Sequence, residues 1–155
     1  MNTQPDFEEF LRLLEKHKVE YVVVGGYAVA FHGYTRFTKD LDIFYDDSES
    51  NILRIRQALV EFGFDPDDLP LSIFSPGAIL NFGIEPVRID LLNSIDGVTF
   101  TEAREHLIIG TYGKAKVQFI GIDELKKNKT ATGRLQDAAD LEKLENKKQI
   151  NEQNF

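Results

Sequence analysis

The apolar positions of this chain fall into a few short patterns. Phe7, Phe10, Leu11 and Leu14 recur at helical spacing, which predicts an amphipathic helix of about three turns. A β-branched run, Val22 to Val24, follows Glu20 and Tyr21 and stops at Gly25-Gly26, so Glu20–Val24 reads as a buried strand closed by a glycine turn. Tyr27–Phe31 reads as a short helix ending near Gly33, and Asp40–Tyr45 as the next strand. Ser48 is placed to cap a helix with Ile52, Ile55, Leu59 and Phe62 on one face, and Gly63 to end it. Leu71–Phe74, Ala78–Phe82 and Val87–Leu92 read as three short strands between Pro/Gly turns. Phe100–His106 reads as a short helix, and Leu107–Tyr112 with Lys116–Ile120 as a hairpin around Gly113. Asp123–Thr132 and Arg134–Leu144 read as helices divided at Gly133, and the polar sequence from Lys143 onward predicts fraying. Strands and helices are mixed without βαβ alternation. The expected fold class is therefore α+β, a mixed β-sheet flanked by helices, in a single domain over 1–145 with a polar tail at 146–155.

Composition narrows the setting. A chain of 155 residues holds one core of ordinary size. The absence of cysteine excludes disulfides and thiolate metal sites, and His17, His32 and His106 lack the spacing of a zinc site. The apolar runs are far short of the roughly 20 residues of a membrane span, and the first residues lack a basic region followed by an apolar core. A cytoplasmic protein without a membrane partner is the expectation. The net charge of −8 argues against strong binding of long nucleic acid, although Lys126–Lys129 is locally basic.

The candidate chemistry lies in carboxylates. On a strand, Asp40 and Asp42 share a face while Leu41 and Ile43 point to the other. Two neighbouring carboxylates repel unless a cation lies between them, and hard divalent cations prefer such oxygens. The bland alternative is an exposed strand with two solvated acids. Asp90 lies inside an apolar run, where an unpaired carboxylate costs several kcal/mol. It is explained either by an ion pair with Arg88, two residues away on the same face, or by a three-carboxylate site with Asp40 and Asp42. Gly25-Gly26 between strand and helix lets backbone N–H groups approach phosphate oxygens, or is simply a tight turn.

Taken in order, these pieces resemble a known family. The run from Val23 to Ile43, with Gly25-Gly26, Arg36, Thr38, Asp40 and Asp42, resembles the first motif of minimal nucleotidyltransferases of the DNA polymerase beta-like superfamily, including its AbiEii/MenT toxin-type branch. Lys129, Gly133, Arg134, Asp137 and Asp140 are similar to a second segment of that family. Tyr27 stands where many relatives carry Ser or Thr, and Gln136 where a Lys often precedes the Asp.

The resemblance implies a Mg2+-dependent transfer of a nucleoside monophosphate from an NTP to an acceptor hydroxyl, with release of pyrophosphate. Asp40, Asp42 and Asp90 would hold two metal ions. Gly25, Gly26, Arg36, Thr38 and Arg134 would contact the nucleotide, and Lys129 would lie near its phosphates. Lys129 could instead be one of several solvated lysines, and Arg134 and Asp137 an ordinary surface pair. The acceptor stays open among a tRNA end, a protein hydroxyl and a small molecule. The alternative reading is a non-catalytic toxin–antitoxin or regulatory protein that keeps the fold and engages a partner protein.

Overall fold

The computed structural model describes residues 3–34, 38–84 and 86–153. Among the described residues, six strands form one mixed sheet in the order β3-β4-β2-β1-β6-β5. These are β1 (Tyr21–Val24), β2 (Asp40–Tyr45), β3 (Ile79–Phe82), β4 (Arg88–Leu92), β5 (Ile108–Tyr112) and β6 (Ala115–Phe119). The helices are α1 (Pro5–Lys16), α2 (Gly25–Phe31), α3 (Glu49–Phe62), α4 (Phe100–Glu105), α5 (Ile122–Thr132) and α6 (Leu135–Gln153). The α+β class and the mixed sheet flanked by helices expected from the sequence are what the structure has.

The alternation within each strand sorts the residues onto two faces. Leu41, Ile43, Ile89 and Leu91 pack with Phe7, Phe10, Leu11 and Leu14 of α1 and with Ile55 and Leu59 of α3. On the other face Val22, Val24 and Phe44 pack with Ala28, Val29, Ala103, Leu125 and Leu144, from α2, α4, α5 and α6. Each fully buried side chain of the Leu or Phe kind contributes about 1.5–3 kcal/mol relative to exposure. Aromatic edges lock the first layer: Phe10 meets Phe62 and Phe82 with ring centroids 5.3 and 5.4 Å apart.

Two strands at the centre carry the acidic residues. β2 and β4 are parallel neighbours, with Asp40 opposite Arg88 and Asp42 opposite Asp90. All four residues lie on the second face, at the end of the sheet beyond Phe44 and Leu92.

One sequence expectation is corrected. Leu71–Phe74 is a 3-10 turn rather than a strand. Pro70 opens it and cannot donate to a ladder, and only Phe74 of the four is buried while Leu71 is exposed. Helical backbone of α6 continues through Gln153, past the Lys143 at which the polar sequence predicts fraying. Among the described residues, no helix is long and apolar enough to cross a membrane.

Candidate active site

The strand-to-helix junction at Gly25 opens the site. β1 ends at Val24 and α2 starts at Gly25, with no loop between them. Gly25 has φ +68°, a left-handed conformation that L side chains disfavour. A Cβ at this position would also overlap Asp42 Oδ2. Only glycine lets the backbone turn here while the carboxylate of Asp42 lies against it.

Next to that junction is a cleft of about 500 Å3. Its walls include Gly25, Asp40, Asp42, Arg88, Asp90 and Asp96, and, from the α5–α6 corner, Asn128, Lys129, Thr132 and Arg134. Of the residues singled out in the sequence, Gly25, Asp40, Asp42, Asp90, Lys129 and Arg134 are thus brought together. Gly26 is buried inside α2 and does not line the cleft. Thr38 also lies off its walls, with a buried hydroxyl that lacks a hydrogen-bond partner among the described residues. Arg36 lies outside the described residues.

The acidic wall is electrostatically tense. Asp42 is pushed up from 3.8 to about 7, first by burial, then by the neighbouring carboxylates of Asp90 and Asp40; Lys129 pulls weakly the other way. Arg88 supplies the local compensation. Its Nε donates to Asp90 Oδ1 at 3.0 Å, and its Nη2 donates to Asp90 Oδ2 at 3.1 Å and to Asp40 Oδ2 at 2.7 Å. The ion pair of Arg88 with Asp90 and the convergence of Asp90 with Asp40 and Asp42 therefore coexist.

The α5–α6 corner is the opposite. Lys129 is 4% exposed and does not share a solvated face with its neighbour Lys127. Its Nζ lies 2.7 Å from Asp137 and 3.3 Å from Asp140. Asp137 also accepts from Thr132 Oγ1 at 2.8 Å and Arg134 Nε at 2.6 Å. Burial alone would raise Asp137, but the hydrogen bonds from Lys129, Thr132 and Arg134 outweigh it and hold the carboxyl below its usual range. Gly133, at φ +68°, makes the left-handed corner that brings these groups together. The Arg134–Asp137 contact is thus one edge of a buried network, while the Arg134 side chain itself stays 74% exposed.

A family model for aminoglycoside-2''-adenylyltransferases matches residues 7–98. The chain belongs to this family. The match spans α1 to β4 and contains Gly25, Asp40, Asp42, Arg88 and Asp90, so the relationship to nucleotidyltransferases is shown. It speaks for adenylyltransferases of that family rather than for the AbiEii/MenT branch, and it ends before Lys129 and Arg134. No curated protein matches the chain.

The donors suit a hard divalent cation: three carboxylates converge on one wall of the cleft, and Asp42 resists ionising beside the other two. Among the described residues, no three acidic or histidine side chains stand as a finished metal cage. Asp40 and Asp90 are instead drawn onto Arg88. Sequence reading missed Asn128, Thr132 and Asp96 as cleft residues. Asn128 had a signal, being a lone amide in a lysine run; its side chain donates to the Asp96 carbonyl at 2.9 Å and ties α5 to the loop after β4.

Proposed function

We propose that the chain transfers the adenylyl group of ATP to an acceptor hydroxyl and releases pyrophosphate. The observation that carries this reading is the register of β2 and β4, which sets Asp42 opposite Asp90 on the wall of a cleft whose other side bears Lys129, Thr132 and Arg134. Asp40, Asp42 and Asp90 would hold the divalent cations, Mg2+ in the cell. Bound there, a metal pair supplies Lewis acidity for the attacking hydroxyl and offsets charge on the leaving pyrophosphate.

The remaining roles belong to the chain itself. Gly25 keeps the strand end open beside Asp42, so a phosphate meets backbone rather than a side chain. Arg134, exposed on the cleft wall, donates to the triphosphate. Lys129 acts through its charge, with its ammonium held by Asp137 and Asp140. Of the remaining motif residues, Arg36 would add a nucleotide contact, while Gly26 and Thr38 lie off the cleft walls and take no contact role.

For the acceptor, the family name points to an aminoglycoside. The net charge of −8 and the exposed carboxylate of Asp96 on the cleft wall favour such a polycation. A tRNA end is the second acceptor class. It is favoured by the segment from Lys129 to Asp140, which resembles minimal nucleotidyltransferases, the AbiEii/MenT branch among them, lies beyond the family match and contributes Lys129 and Arg134 to the cleft. The test is transfer of label from α-phosphate-labelled ATP with Mg2+ to a panel of aminoglycosides and to bulk tRNA, with Asp42→Asn as control. Label on an aminoglycoside, absent in the control, is the expected result. Label on tRNA would move the chain toward the toxin-type branch. No label and no nucleotide binding would leave a non-catalytic, partner-binding protein.

A further inference from the structure

Arg88 occupies an unusual place for a simple ion pair. It lies directly across from Asp40 in the β2–β4 register and two residues before Asp90 on the same face. One guanidinium therefore bridges two of the three carboxylates, gripping Asp90 through two nitrogens in the fork geometry that Lys lacks. The grid is also only partly desolvated. The side chains of Arg88, Asp40 and Asp90 are 35%, 25% and 13% exposed, and all three line the cleft. The next residues along the same face, Phe44 and Leu92, are packed under helices. Arg88 thus stands where a fixed packing contact ends and a ligand site begins.

The positive charge of a guanidinium and that of a divalent cation compete for the same carboxylate oxygens. A triphosphate brings new anionic oxygens into the same cleft and gives Arg88 another partner of the kind it binds best. We propose that Arg88 is an internal counter-cation which holds Asp40 and Asp90 in the nucleotide-free protein and passes to the phosphates when nucleotide arrives, so that the chain takes up divalent cation together with nucleotide rather than alone. The proposal rests on the nucleotidyl-transfer reading and adds a coupling to it. Such coupling is reciprocal: the factor by which nucleotide tightens metal must equal the factor by which metal tightens nucleotide. The triphosphate's own oxygens ligate the cation and supply part of this coupling; a merely structural guanidinium would add nothing to it, and its removal would leave the metal affinity of the nucleotide-free protein unchanged.

The experiment uses Mn2+ as probe, with free ion counted by electron paramagnetic resonance, with and without α,β-methylene-ATP. In the full-length wild type, Mn2+ alone is expected to bind weakly, and nucleotide to tighten it at least ten-fold. Arg88→Gln is expected to bind Mn2+ alone at least ten-fold more tightly than wild type, with most of the nucleotide enhancement lost. It is also expected to melt lower than wild type without metal and to gain more from Mn2+. Should Arg88→Gln fail to fold, Arg88→Lys, which keeps a charge without the two-nitrogen grip, is expected to fall between the two. Equal affinity for Mn2+ alone in wild type and the folded variants, with an unchanged nucleotide effect, would overturn the proposal and leave the transferase reading intact. Absence in every form of Mn2+ binding beyond that of the nucleotide alone in a protein-free control would instead remove the transferase reading on which it stands.

Discussion

The two sides of the cleft hold similar ingredients and treat them oppositely. On the β2–β4 wall, two of three carboxylates are held by Arg88, and burial beside like charges pushes the third, Asp42, up to about 7. At the α5–α6 corner, Asp137 accepts from three donors, and Lys129 is sealed between Asp137 and Asp140. A satisfied buried network fixes one arrangement of helices. A tense, partly open one gains from whatever positive charge enters it. The difference separates the wall proposed to bind a ligand from the corner that fixes the helices beside it, and it makes opposite predictions for the same kind of substitution.

The largest expected effect is on the tense wall. Asp42→Asn removes a proposed metal ligand, and adenylyl transfer is expected to fall by at least about 10^3-fold, equivalent to about 4 kcal/mol of transition-state stabilisation. The same variant should melt no lower than wild type without metal, because a desolvated charge has been removed from beside Asp90 and Asp40. An Asp42→Asn protein that unfolds, or that keeps full activity, would erase the distinction between the two walls.

At the corner the balance reverses. Asp137→Ala leaves Lys129 buried with one acid and takes the shared carboxylate from Thr132 and Arg134. Breaking a buried pair from one side typically costs about 3–5 kcal/mol. Urea unfolding should show a loss of that order, before any nucleotide is added. A loss under about 1 kcal/mol would mean that the corner is as loosely held as a surface pair.

How much of this contrast was legible in the sequence differs between the two walls. The carboxylate wall was open to reading because strand alternation is local: Asp40 and Asp42 must share a face, and a lone Asp90 in an apolar run needs a reason. The reach of Arg88 to Asp40 was not, because the register that sets them opposite each other joins residues 48 positions apart. The corner stayed open between two readings for a related reason. Arg134 and Asp137 sit three apart and look like a surface pair, while the partners of Lys129 lie beyond Gly133 on the next helix, outside any helical spacing. Leu71–Phe74 failed as a strand because four residues between prolines are too few to show a period.

Acidity offers a third way to sharpen the comparison, since the two carboxyls shift in opposite directions. Asp42 is raised in the fold above its ordinary value near 3.9. Its contribution is therefore complete below about pH 4 and is lost as the pH rises through about 7. Asp137 is lowered, so its contribution is present above the ordinary carboxylate range and is lost only as the pH falls through its depressed value. Without metal, wild type should thus lose stability between about pH 4 and 7 relative to Asp42→Asn. Mg2+ should stabilise wild type more at the upper end of that window, because it binds the ionised form. A flat difference between wild type and Asp42→Asn across the window would show that Asp42 ionises as an ordinary carboxylate.

The smallest effect belongs to the residue that joins the two regions. Arg134 donates to Asp137 from an exposed side chain, and exposed pairs at this spacing are worth only a few tenths of a kcal/mol. Arg134→Gln should therefore leave the melting temperature within about 1–2 °C of wild type. If its guanidinium meets the triphosphate, the same variant should raise the KM for ATP several-fold with little change in kcat, the signature of lost uniform binding. A variant that lost stability and kept its KM would put Arg134 on the structural side of the cleft, and the phosphate contact would then have to come from the Gly25 junction and from Arg36.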